Sequence, residues 1–229
     1  MATSASIDFS LTARQLVTFA LRKLNVVATT ESPSADDAAR AMEELNLLLK
    51  GWAKYPVLWR YKEGSVFATD TGGNQFAYAL STDTHHVFEV RFRNSSTDSV
   101  MMFMSRGDWL ALPSRTEGYG APTRYYVDRQ RTTTTLNVFP AFSAPTGSVQ
   151  SYQYTYQRKL EDIDDLDNDI DIRPEWLEVV GYNLASRLTS DFGVTGERAQ
   201  RIAQTADVLL RQALGDNKED IPRSQQGVA

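Results

Sequence analysis

Apolar residues recur every three or four positions near both ends of this 229-residue chain, and the stretch between those ends follows another rhythm. At the N-terminal end Leu16, Phe19, Ala20 and Leu24 share one helical face, behind Ser10 and Thr12, either of which can cap the helix. A second helix opens where Ser34 and Asp37 stand at capping-box spacing, with Asp36 and Asp37 at the positive end of its dipole. Its stripe is Ala38, Ala41, Met42, Leu45, Leu48 and Leu49. At the other end Pro174 suits a first turn, Glu175 stands beside it, and Trp176, Val180, Leu184 and Leu188 follow until Gly193. Thr195 then caps a last helix bearing Ala199, Ile202, Ala203, Ala206, Leu209, Leu210 and Ala213, ended by Gly215. A two-helix hairpin cannot hide such stripes alone, and packing the two pairs together would hide all of them.

From about Leu58 to Arg158 threonine, valine, tyrosine and phenylalanine dominate, with turn signals at Gly72–Asn74, Asn94–Thr97 and Ala144–Gly147. Val87–Arg93, Arg124–Val127, Thr133–Phe139 and Val149–Tyr156 read as strands, and Tyr152, Tyr154 and Tyr156 would share one face. A short helix at Gly107–Leu112 stops at Pro113. The fold class expected is therefore α+β: a four-helix bundle-like core from the N- and C-terminal helical hairpins (1–57 and 160–215), carrying an inserted antiparallel β domain (58–159) of six to eight strands. Residues 216–229 are polar and aperiodic and read as a flexible C-terminal arm.

Composition removes several classes of function. Cysteine is absent and the histidines are His85 and His86 alone, so disulfides, thiolate metal sites and multi-histidine centres are excluded. No apolar run is long enough to cross a bilayer, and Met1–Ser10 lacks the pattern of a secretory signal, so no membrane partner is expected. Residues 1–60 carry seven basic and six acidic groups, 61–158 nine and eight, and 159–229 eight and fifteen. No third has the basic surplus that gripping a phosphate backbone requires. Phosphate-cradling glycine loops and nucleophile elbows are missing too, and no cofactor is expected.

The most conspicuous polar feature is the acidic run Glu161–Asp171, containing Asp162, Asp164, Asp165, Asp167, Asp169 and Asp171. Asp167, Asp169, Asp171 and Glu178 fit positions 1, 3, 5 and 12 of a calcium loop. Position 6 is Ile172 instead of glycine, and the helix at Pro174 begins inside the loop, so the plainer reading is a solvated acidic linker. His85 and His86 are neighbours on a strand, point to opposite faces and cannot easily share a metal. Arg106-Gly107-Asp108 spells an integrin tripeptide, but Trp109 and Leu110 after it suggest a capped helix start.

Two stretches resemble the head-to-tail adaptor family of tailed bacteriophages, which includes connectors and tail accessory factors. The first is Ala20–Val26 followed by Ala38–Trp52, similar to the family's opening hairpin; Asn25 stands where a glycine is usual. The second is Pro174-Glu175-Trp176, then Gly181–Leu188 and Asp191-Phe192-Gly193, similar to its closing hairpin. Together they span somewhat under half the chain and carry no catalytic signature. The resemblance implies a non-enzymatic virion protein in the neck: a ring of twelve subunits beneath the portal, docking a tail or nozzle protein, with genomic DNA passing through without sequence-specific contact. By the same likeness the C-terminal arm would reach along the portal, anchored by Ile221, Pro222 and Arg223. If the acidic segment faced the channel, its charge would repel DNA phosphates and let the genome slide.

Two other functions compete. A cell-wall glycan hydrolase needs a carboxylate pair, with Glu89 beside Val90 as one candidate acid, yet no spacing singles out a pair. A tail-associated receptor- or glycan-binding module would explain the aromatic β portion (Phe67, Phe76, Tyr78, Phe88, Phe92, Phe103, Trp109), partly core and partly contact surface, but not the helical pairs.

Overall fold

A computed structural model describes residues 9–55, 57–68, 75–115, 120–142 and 150–216. The chain divides into two compact units, Met1–Trp59 with Leu160–Ala229, and Arg60–Lys159.

In the first unit α1 spans Ala13–Leu24 and α2 spans Ala35–Gly51. The Thr12 hydroxyl accepts from the Gln15 N–H while the Gln15 side chain accepts from the Thr12 N–H, so α1 opens on a closed capping box. It ends at Asn25, which takes the left-handed conformation (φ 63°) that asparagine tolerates. Ser34 caps α2 through the Asp37 N–H at 3.1 Å. Pro174–Trp176 forms a 3-10 turn leading into α4 (Leu177–Leu188), and α5 covers Gly196–Asp216.

The described β unit contains β1 (Tyr61–Phe67), β2 (Gln75–Ala79), β3 (Thr84–Asn94), β4 (Thr97–Val100), β5 (Met102–Phe103), α3 (Arg106–Leu110), β6 (Arg124–Arg129), β7 (Thr134–Phe142) and β8 (Gln150–Arg158). They make two four-stranded sheets, ordered β1-β8-β3-β4 and β2-β7-β6-β5. Their inner faces share one aromatic core, in which Tyr152 meets Tyr78 at 4.6 Å between ring centroids and Phe92 at 5.5 Å. Tyr152, Tyr154 and Tyr156 are all buried, as their shared face requires.

The expected fold class needs correction. The protein is not a four-helix bundle-like core with an inserted antiparallel β domain; it is an α+β structure in which five α-helices and two four-stranded sheets carry comparable weight among the described residues. One sheet is mixed, because β5 runs parallel to β6, Met102 opposite Arg124 and Phe103 opposite Tyr125. Nor do the helices share burial equally as bundle members would. Seven residues of α4 are buried, from Leu177 to Leu188, whereas in α5 only Ile202 and Ala206 are. α4 is thus the central helix, packed on by α1, α2 and α5, and a non-helical segment fills part of the remaining surface.

Candidate functional site: an acidic strap and a basic groove

The segment Leu160–Ile172 alternates aspartates with large apolar residues, and the two kinds go to opposite sides. Leu160, Ile163 and Ile170 are buried in the helical core, and Leu166 and Ile172 pack partly against it. Five apolar side chains therefore hold the run down as a strap, while Asp162, Asp164, Asp165, Asp167 and Asp169 stay exposed to solvent.

Backbone contacts fix its path. The Asn46 side chain on α2 clips Ile163 from both sides, donating to its carbonyl at 2.9 Å and accepting from its N–H at 3.0 Å. The first N–H groups of α1, otherwise without helical partners, donate to the strap: Ala13 to the Asn168 carbonyl at 2.9 Å and Arg14 to that of Leu166 at 2.7 Å. Lys50 donates to the Leu160 carbonyl at 2.9 Å.

The six aspartates consequently differ. Asp162 is ion-paired with Lys50. Asp167 accepts from the Arg14 guanidinium at 2.8 Å, and this bond holds its carboxyl below the ordinary carboxylate range and raises the arginine. Asp171 accepts from the Glu161 N–H at 3.3 Å, and Asp165 from that of Asp167 at 2.9 Å. Asp164 and Asp169 are exposed and make no side-chain hydrogen bond or ion pair among the described residues. No group of three or more histidine, aspartate or glutamate side chains is arranged to hold a metal ion among the described residues, so the calcium spacing is not realised as a cage.

A second charged feature lies at the far end of α1, where Lys23, Tyr182, Arg198, Arg201 and Thr205 line a groove of about 450 Å³ with Glu197 as its one acid. The Lys23 ammonium sits over the rings of Phe19 and Tyr182, at 4.8 and 5.0 Å from their centroids. Arg198 donates to the Leu24 carbonyl at 3.4 Å, at the negative end of α1. Arg201 is exposed and makes no ion pair among the described residues. Sequence reading missed this groove because its cations come from α1 and α5, far apart in the chain.

The remaining candidates disperse. His86 meets Arg129 at 2.9 Å, and burial is the main influence lowering the pKa of both histidines. Ser105 and Asp108 form a capping box at the start of α3, so the Arg106-Gly107-Asp108 tripeptide is a helix entry. Glu89 pairs with Arg91, beside Glu63 and Asp98, and not in the apolar pocket a raised carboxylic acid needs. Phe67 and Phe103 are exposed, whereas Tyr78, Phe92 and Trp109 are buried. Ile221, Pro222 and Arg223 lie outside the described residues. No described helix is long and apolar enough to cross a membrane.

No family model matches the chain, and no curated protein matches it. Among solved structures it is similar to a chain in the neck of an empty GTA particle computed with C6 symmetry, at 10% identity, covering 80% of this chain and 83% of that one. The TM-score is 0.26, too low to carry a fold or a role from one to the other.

Proposed function

We propose that the protein is a structural component of a tailed-phage particle: a head-to-tail adaptor that forms a ring, of twelve copies by family likeness, under the portal in the virion neck. There it extends the DNA channel and offers the tail or nozzle protein its docking platform, without catalysis and without a cofactor. One observation carries the reading. The residues on which the family likeness rests meet in a single buried cluster, including Leu21, Leu24 and Trp52 from the opening pattern and Trp176, Leu184 and Leu188 from the closing one. Trp52 and Trp176 meet edge to face at 5.8 Å between centroids. Gly181 gives Phe19 its place, because a Cβ there would come within 2.6 Å of the Phe19 ring. The likeness is one of packing, so its residues have to pack together for it to mean anything, and they do.

The test is to mix the purified full chain with portal rings of the same phage and follow co-sedimentation. Adaptor function predicts that the chain migrates with the portal at a fixed ratio. A chain that stays at the top of the gradient over the accessible concentration range contradicts it. Monomeric behaviour without portal is compatible with the proposal, since the portal can template the ring.

A further inference from the structure

We infer that copies of this chain join head to tail in the helical unit, the acidic strap of one copy docking on the basic groove of the next. The inference rests on the ring reading above and names the contact that would build it.

Three observations lead there. The groove carries Lys23, Arg198 and Arg201 against Glu197 alone, a net positive concavity of about 450 Å³. The strap presents Asp164, Asp165 and Asp169 to solvent, and it is held rigidly by the Asn46 clip and the N-terminus of α1, so its carboxylates need little further ordering on binding. Finally, the two features sit at opposite ends of one helix. The strap is bonded to Ala13 and Arg14, the groove begins at Lys23, and ten residues of α-helix separate Ala13 from Lys23 by about 15 Å. A strap fixed at one end of α1 cannot fill the groove at the other end of the same copy, but it can meet the groove of a neighbour. Two different, complementary surfaces on one subunit make a heterologous contact, and such contacts close into rings when the rotation allows. Charge pairing of this kind contributes orientation and encounter rate and weakens as salt rises. The strap then belongs to the joint between copies and not to the channel wall.

Charge exchange provides the test, scored as occupancy of portal by ring at low salt, with circular dichroism confirming that each variant folds. Asp164→Lys with Asp169→Lys, and separately Arg198→Glu with Arg201→Glu, should each lower occupancy about tenfold, and combining all four should recover most of it. Rings that form equally well with either set reversed overturn the inference while leaving adaptor function intact. If the unaltered chain forms no ring on portal, the functional reading fails and a second measurement decides the joint. The chain has no cysteine, so Asp169→Cys and Arg201→Cys variants carry one thiol each. Mixed at high concentration under mild oxidation, they should yield mostly heterodimers. Homodimers and heterodimers in statistical proportion, or no dimers, overturn the contact.

Discussion

The two units solve the burial problem with different materials. Apart from Trp52 and Trp176, the helical unit's buried cluster is aliphatic, with Leu16, Leu21, Leu45, Leu184 and Leu188 at 0–1% exposure, and these leucines have no polar atom to satisfy. Six of the thirteen residues in the β unit's buried cluster are aromatic, five of them tyrosines, each bringing a hydroxyl that needs a partner. Tyr152 donates to the Tyr78 oxygen at 3.5 Å, Tyr156 donates to Asp83 at 3.1 Å, and the Tyr154 oxygen accepts from the Ser81 N–H at 3.3 Å. Burial raises the Tyr152 pKa far above its ordinary value, so this hydroxyl stays neutral. An aliphatic stripe specifies a face and little more, whereas a tyrosine-rich core also specifies where its polar ends terminate.

The largest effect is expected for Leu184→Ala, which removes a fully buried side chain from the central helix and should cost about 2–5 kcal/mol. Trp52, Trp59 and Trp176 belong to the helical unit and Trp109 to the β unit, so in a Trp109→Phe background tryptophan fluorescence follows the helical unit while the near-ultraviolet tyrosine signal is weighted to the β unit. Because the two buried clusters share no residue, the tryptophan transition should move alone; equal shifts of both signals would show the contrast to be false. Next is Gly64→Val on β1, the partner of Tyr154, where a Cβ would come within 2.5 Å of the tyrosine ring. Displacing that ring should cost about 1–3 kcal/mol, read by denaturant unfolding through the tyrosine signal. Asn46→Ala should cost about 1–2 kcal/mol, since it strips two hydrogen bonds from a half-buried backbone, and amide exchange should quicken across residues 160–172.

The smallest effect is a pH dependence. His85 and His86 have folded pKa values lowered mainly by burial, so the unfolded chain binds their protons first. Their contribution is complete above the unfolded value of about 6.5 and is lost as pH falls from there through the folded values. Replacing both with glutamine should flatten the stability profile of the β unit below about pH 6.5. In the helical unit Asp167 is lowered by the Arg14 hydrogen bond, so its contribution persists to more acid pH and is lost below the ordinary carboxylate range.

Helix starts were legible because they are local: Thr12 and Ser34 announce α1 and α2 within four residues of sequence. Helix ends were less so. α4 stops at Leu188, before Gly193, because a turn closed by Phe192 and Val194 N–H groups on Leu188 and Thr189 carbonyls intervenes, and Gly193 takes φ 63° within it. Gly215 lies inside α5 and does not end it. The strands at Val87–Arg93 and Arg124–Val127 were visible by their β-branched and aromatic content, but β1 hid behind Lys62, Glu63 and Gly64, and β5 is two residues made a strand only by β6. The anchoring of the strap was not legible, because its aspartates are loud and its apolar residues are not. Leu160, Ile163, Leu166, Ile170 and Ile172 were the available signal, and their burial depends on a core built from both ends of the chain. The groove at Lys23 gave no local signal at all.

The proposed ring beneath a portal can be seen directly. Electron micrographs of portal mixed with the full chain test it most directly. A ring-forming adaptor adds an annulus of density, coaxial with the portal and of constant subunit number, on the face that receives the tail. Portal particles indistinguishable from portal alone, at chain concentrations well above stoichiometric, would contradict it.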